Sequence, residues 1–182
     1  NENTRTLVQA RTSLSDFKRA VNEAMLRLAS SPKSVFVGQS VRYDGAAIHD
    51  SLEGVPMEKR IEMPVIEDFQ MGYCIGLALM GKLPICIYPR IDFMLLAVNQ
   101  LVNHLDKLPL FGWHPKVIIR TTVGQKKPLD AGPQHTQDHS KAFAMMLKSV
   151  KVYQVRTPDE VLQAYDTAIE SSLSSLIVEN PL

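Results

Sequence analysis

With 182 residues, 45% of them hydrophobic and 21% charged, the chain has the composition of an ordinary globular domain and enough length for a sizeable core. Its net charge of +1, with scattered basic residues, gives no field that would capture nucleic acid or an anionic membrane, so neither is expected as a partner. No apolar run reaches the roughly 18 residues needed to cross a bilayer, and the polar start lacks the apolar centre of a secretory signal. Cys74 and Cys86 lie in apolar runs outside any metal or redox spacing and read as two reduced core thiols, which suits a reducing compartment.

In chain order, residues 1–12 are polar and read as an N-terminal arm, with one domain over 13–182. Ser13 and Ser15 then stand as cap candidates before Phe17, Val21, Ala24, Met25 and Leu28, which have helical spacing. Residues 35–37 form a short buried strand ending at Gly38, and 39–62 read as a long loop. Pro64 opens a second helix whose early turns carry Glu67 and Asp68, where carboxylates complement the helix dipole. Residues 71–80 are apolar all round, which predicts burial. Gly72 and Gly76 allow another backbone to come close, and Gly81 caps the end. A strand over 84–88, a helix over 92–107 and a strand over 116–120 follow. After the loop 122–137 come a helix over 138–147, a strand over 150–155, a helix from Pro158 to about Ser171 and a strand over 175–178.

Apolar strands alternating with amphipathic helices predict an α/β fold: a parallel sheet with helices on both faces. Ligands of such sheets bind beyond the carboxyl ends of the strands, here the loops 38–64, 89–92, 121–137, 156–158 and 179–182. There is no glycine-rich phosphate loop, no nucleophile elbow and no cluster with metal-ligand spacing. Three features remain, each open to two readings. Glu67 in Pro64-Val65-Ile66-Glu67 is a dipole-complementing, solvent-facing acid or a buried carboxyl able to donate a proton. The loop Gly132-Pro133-Gln134-His135-Thr136-Gln137-Asp138-His139 is a capped helix start or the seat of an acid–base histidine. Asp92-Phe93 is a helix cap followed by a core ring, or an aromatic that faces a flat heterocycle.

Taken together, a longer series of landmarks can be matched. It runs Phe36-Val37-Gly38-Gln39, Tyr43-Asp44-Gly45-Ala46, Arg60-Ile61, Met63-Pro64-Val65-Ile66-Glu67, Gly76-Leu77-Ala78, Asp92-Phe93, Asn99-Gln100, Gly124, Gln134-His135-Thr136-Gln137 and Val178-Glu179-Asn180. In these the chain resembles the pyrimidine-binding domain of the beta subunit of 2-oxoacid dehydrogenase decarboxylase components, a transketolase-like, thiamine diphosphate-dependent family. The resemblance implies that Glu67 contacts the ring nitrogen N1′ of the cofactor's aminopyrimidine and shares a proton with it. It implies that Phe93 stacks on that ring, that Val65 lines its pocket, and that His135 faces the substrate. The family usually has an acidic residue where Ile87 stands, and Arg90 replaces a commoner uncharged residue. Arg90 and Gln134 are the candidates for substrate contact; Arg90 is either a pocket arginine that favours an anionic substrate or a surface arginine.

The diphosphate motif of the family is absent here, so a partner subunit is expected to hold the diphosphate and its Mg²⁺, with no metal ligand from this chain. The implied reaction is cleavage of a 2-oxoacid or ketose next to its carbonyl with transfer of the fragment, in a heterotetramer or homo-oligomer. The implied location is the cytoplasm, or the mitochondrial matrix of a eukaryote. The alternative is a non-catalytic assembly module that kept the fold. A third possibility is that the chain is an excised piece of a longer subunit.

Overall fold

The computed structural model describes residues 2–126 and 130–181, with side chains from residue 14 onward. Six strands form one sheet in the order β2-β1-β3-β4-β6-β5, and every pair is parallel. They are β1 (Ser34–Gly38), β2 (Arg60–Glu62), β3 (Leu83–Tyr88), β4 (Ile118–Thr122), β5 (Lys151–Val155) and β6 (Ser175–Glu179). The helices are α1 (Glu2–Ala29), the single turn α2 (Ala47–Asp50), α3 (Glu67–Leu79), α4 (Ser140–Met146) and α5 (Pro158–Glu170).

The central strands β1, β3, β4 and β6 are mainly apolar because alternate residues serve two cores. Phe36, Ile85, Ile87, Ile118 and Ile177 pack with α1 and α5 on one face. Val37, Cys86, Tyr88, Ile119, Leu176 and Val178 pack with α3 and α4 on the other. Both cysteines are therefore fully buried and unpaired by disulfide. Arg120 and Glu179 are buried across β4 and β6, joined at 2.8 Å and 3.2 Å, and Ser51 and the Tyr165 hydroxyl complete the set. The parallel α/β architecture predicted from the alternation is the one observed.

Several elements differ in detail. The first helix is continuous from Glu2, so Ser13 and Ser15 lie within it rather than at its start. Residues 39–62 are not one loop: α2, a 3-10 turn (Met57–Lys59) and β2 lie within them. Elements of three or four residues carry no periodic signal. Their order comes from the buried guanidinium of Arg60, the first residue of β2, which donates to the carbonyls of Val41, Leu52 and Val55. The helix expected from Pro64 starts at Glu67, because Pro64 and Ile66 first form a tight turn.

Residues 92–107 are not one α-helix but a 3-10 turn (Phe93–Ala97) followed by a π-helical segment (Asn99–Leu105). Over so few turns, tight and wide windings place apolar residues on similar sides. Asp92 is already helical and its side chain caps nothing in that segment. The helix expected from Asp138 starts at Ser140. By contrast, α5 begins as its sequence predicts, with Pro158 at its first position and a reciprocal Thr157–Glu160 capping box. No described helix is long and apolar enough to cross a membrane.

The expectation that α3 is buried all round does not hold. Phe69, Tyr73, Gly76 and Met80 form an outward stripe along it, and the Phe69 and Tyr73 rings stack at 6.1 Å. Neither glycine brings a backbone close within this chain. A Cβ at Gly72 would touch the Gln100 side chain at 3.6 Å, and one at Gly76 would meet nothing.

Candidate functional site

The sheet reverses its order between β1 and β3, since the chain runs outward to β2 from one and outward to β4 from the other. Such a switch point opens a crevice at the carboxyl edge. Gly38 ends β1 there, and a Cβ on it would lie 2.5 Å from the Ile87 carbonyl, so glycine lets the two strand ends close up. The chain then turns through Ser40, which adopts a left-handed φ of 59°. The Glu62 carboxylate accepts from the Ser40 and Arg42 amides at 2.6 Å and 2.9 Å and stabilises that turn. Gln39, between strand and turn, is thereby directed at α3.

Glu67 heads α3 above this crevice and is 4% exposed. Among the described residues its carboxylate accepts one long hydrogen bond, 3.4 Å from Gln39 Nε2. Two buried groups hold it in place: the Tyr88 hydroxyl donates to the Glu67 carbonyl at 2.9 Å, and Gln70 Nε2, one turn along α3, donates to the Ile87 carbonyl at 2.9 Å and so ties the helix to β3. Burial pushes the Tyr88 phenol far above its ordinary range, helped by Cys86, so it remains a donor. Beside the carboxylate, Val65 is 74% exposed and Ile66 is also exposed. The site thus offers a buried acid with unused acceptor capacity at the rim of an apolar surface.

A second group lies across β3. Ile91 donates its amide to the Thr122 carbonyl at 2.9 Å, which extends the β3–β4 pairing and carries the chain into the turn holding Phe93. The half-buried Phe93 ring meets His135 edge-on, centroids 5.3 Å apart at 86°. Gly124 makes this approach possible, because a Cβ there would fall 1.8 Å from the His135 carbonyl oxygen. Arg90 joins them: its Nε would lie 3.1 Å from the same Cβ. Its Nη1 donates to the Pro89 carbonyl at 2.8 Å and to Thr122 Oγ1 at 3.0 Å. Among the described residues no carboxylate lies within ion-pair distance of Arg90.

The structure therefore gathers Phe93, His135 and Arg90 around Gly124. It sets Glu67 and Val65 at the head of α3, which packs against the Phe93 turn. Gln134 is exposed on the His135 loop. Sequence reasoning assigned no role to Tyr88, Gln70 and Glu62, which hold the site in place. Tyr88 and Gln70 are polar residues inside apolar stretches, a signal that was available. Glu62 gives none, because its partners are main-chain amides.

Chains similar to this one are beta subunits of the pyruvate dehydrogenase E1 component. The mitochondrial subunit of Chaetomium thermophilum is 27% identical over 172 residues, 91% of this chain and 44% of its own length. That of Caenorhabditis elegans is 30% identical over 172 residues, 90% and 47%. The subunit of Gracilaria tenuistipitata var. liui is 26% identical over 170 residues, 90% and 52%. The chain thus spans about half the length of the curated relatives it matches. No model of a protein family matches it.

Among solved structures, a split-gene transketolase described as an inactive beta4 tetramer superposes with a TM-score of 0.71 at 19% identity, covering 90% of this chain and 51% of that one. Transketolase from Campylobacter jejuni gives a TM-score of 0.72 at 15% identity, covering 89% and 25%. These likenesses carry the fold, and the sequence relatives bear out the resemblance read from the landmarks.

Proposed function

We propose that this homologue of pyruvate dehydrogenase E1 beta subunits, built on a transketolase-like fold, is the pyrimidine-binding half of a thiamine diphosphate-dependent enzyme. One observation carries the proposal. Glu67 is a buried carboxylate at the sheet's switch point, with a single long donor among the described residues and an exposed apolar neighbour, Val65. A ring nitrogen of a flat heterocycle would complete its hydrogen bonding, and low local dielectric would strengthen that bond. The residues present fit the aminopyrimidine end of the cofactor. Val65 and Phe93 would hold the ring by apolar contact and stacking, and Glu67 would orient it and hold a proton at the ring nitrogen. When bound, the cofactor supplies the electron sink for cleaving a bond next to a carbonyl.

His135 would handle a proton or orient the substrate, a small molecule. Its edge contact with Phe93 keeps the imidazole next to the proposed ring site. Arg90, held by two neutral oxygens and lacking a carboxylate partner among the described residues, would take an anionic group of a 2-oxoacid or ketose. Gln134, exposed on the same loop, is its proposed companion. A partner subunit would bind the diphosphate and Mg²⁺, and 1–12 would be an arm outside the domain 13–182. The outward apolar stripe of α3, with Leu95 and Leu96 nearby, supports self-association or partner contact. The heterotetramer and the cytoplasmic or matrix location belong to the same proposal.

The test is decarboxylation by the chain purified with its partner. Glu67→Gln is expected to lower the rate by about 10²-fold or more, the scale of a lost proton-transfer group, with the assembly intact. Unchanged activity would overturn the role of Glu67. Calorimetry that finds no thiamine diphosphate binding in any assembly would favour the non-catalytic module.

A further inference from the structure

A cluster beside the site is not used by this reading. Asp92 immediately precedes Phe93 and its side chain is 4% exposed. Its Oδ1 accepts from both the amide and the Nε2 of Gln137, at 3.3 Å and 3.1 Å. His139 lies two residues further along the same loop, and its Nε2 stops 4.0 Å from Asp92 Oδ1. Among the described residues, Asp92 Oδ2 and His139 Nε2 are both buried without a hydrogen-bond partner. A buried carboxylate with one oxygen lacking a donor, near a buried imidazole nitrogen lacking a partner, is a costly arrangement unless the two groups come together.

The placement gives the pair a purpose. His135 faces Phe93, and Gln137 and His139 follow it at two-residue intervals. The far end of the loop is held separately. Asp138 accepts from Gln154 Nε2 at 2.7 Å and from Asn180 Nδ2 at 3.4 Å, and its other oxygen accepts from the Ser140 amide at 3.0 Å. Within the loop, the His135 amide and the Thr136 hydroxyl both donate to the Gly132 carbonyl at 3.1 Å. Asp92 is the group that ties this preorganised loop to the turn carrying the aromatic.

We propose that Asp92 and His139 are a positioning pair, a carboxylate and an imidazole that draw the 130–139 loop onto the Phe93 turn and so fix His135 against the ring. A small movement from the 4.0 Å separation would let the imidazole Nε2–H donate to the Asp92 carboxylate, while Oδ1 keeps Gln137. Neither residue touches the ligand; each sets where His135 stands. The proposal adds to the reading of His135 and Phe93 as ligand-facing groups, but its test is independent of that reading because it uses the chain without cofactor.

The test is amide hydrogen exchange and side-chain NMR on the 182-residue chain. Asp92→Ala is expected to speed exchange of the His135 and Gln137 amides at least fivefold and to abolish the shift that the Phe93 ring imposes on the His135 protons. Asp92→Asn, which keeps an oxygen for Gln137 but loses the charge facing His139, should restore the Gln137 protection and not the His139 imidazole shift. His139→Phe keeps the bulk and removes the donor, and should also speed Gln137 exchange. This variant decides the matter if Asp92→Ala does not fold. Exchange within twofold of the parent, with the His135 signals unmoved, in whichever of the Ala and Phe variants fold would overturn the proposal.

Discussion

Replacing Gly124 by alanine probes the packing that brings His135 to Phe93. The new Cβ would lie 1.8 Å from the His135 carbonyl oxygen, whereas non-bonded carbon and oxygen approach to about 3.3 Å, so roughly 1.5 Å of movement is required. The obstacle is backbone, so rotating a side chain cannot relieve it. The Arg90 Nε, 3.1 Å from the same point, blocks an easy retreat on that side. Forced overpacking costs about 1–3 kcal/mol, which for a chain of this size lowers Tm by roughly 2–12 °C. Displacing a reacting group by ~1 Å costs on the order of 10²-fold in rate. Scanning calorimetry on the chain and kcat/KM of the reconstituted assembly measure the two effects. A variant with parental Tm and parental activity would show that the 130–139 loop is not seated as described.

Two further predictions follow from particular atoms. Gly76→Ala meets nothing within the chain and should stabilise α3 by about 0.5–1 kcal/mol in chemical denaturation. The same change should weaken self-association or partner binding in analytical ultracentrifugation if the α3 stripe is packed in the assembly; unaltered assembly would remove that face from the interface. Asp106 is the second case. Burial pushes its carboxyl up, but the Lys107 ammonium and the amides of Val150, Lys148 and Ser149 outweigh this and hold it below its usual range. Its contribution is therefore present above the unfolded value of about 3.9 and is lost as pH falls through the lower folded value. Asp106→Asn should cost about 1–3 kcal/mol at pH 7, with a gap that narrows only below about pH 4. A gap unchanged at lower pH, measured by urea unfolding, would exclude the charge as its cause.

Local chemistry made much of this protein legible in its sequence. The strands β1, β3 and β6 are short, mainly apolar runs, and their alternation with amphipathic helices points to a sheet covered on both faces and so to the fold class. Thr157-Pro158-Asp159-Glu160 encodes its own helix start, and α5 begins there. Glu67, Phe93 and His135 were marked by residue type and by lying at carboxyl ends of strands. What tertiary structure alone decided involves partners far apart in the chain. Arg60 orders residues 41–55, and Gln70 and Tyr88 moor Glu67. Gly124 admits the His135 carbonyl, and Asp92 reaches forward 45 residues to Gln137. A sequence records which groups can donate, accept or pack, but three-dimensional closure determines which of them meet. The exposed face of α3 shows the same limit from the other side: its apolar composition signals burial but leaves open whether this chain or another provides it.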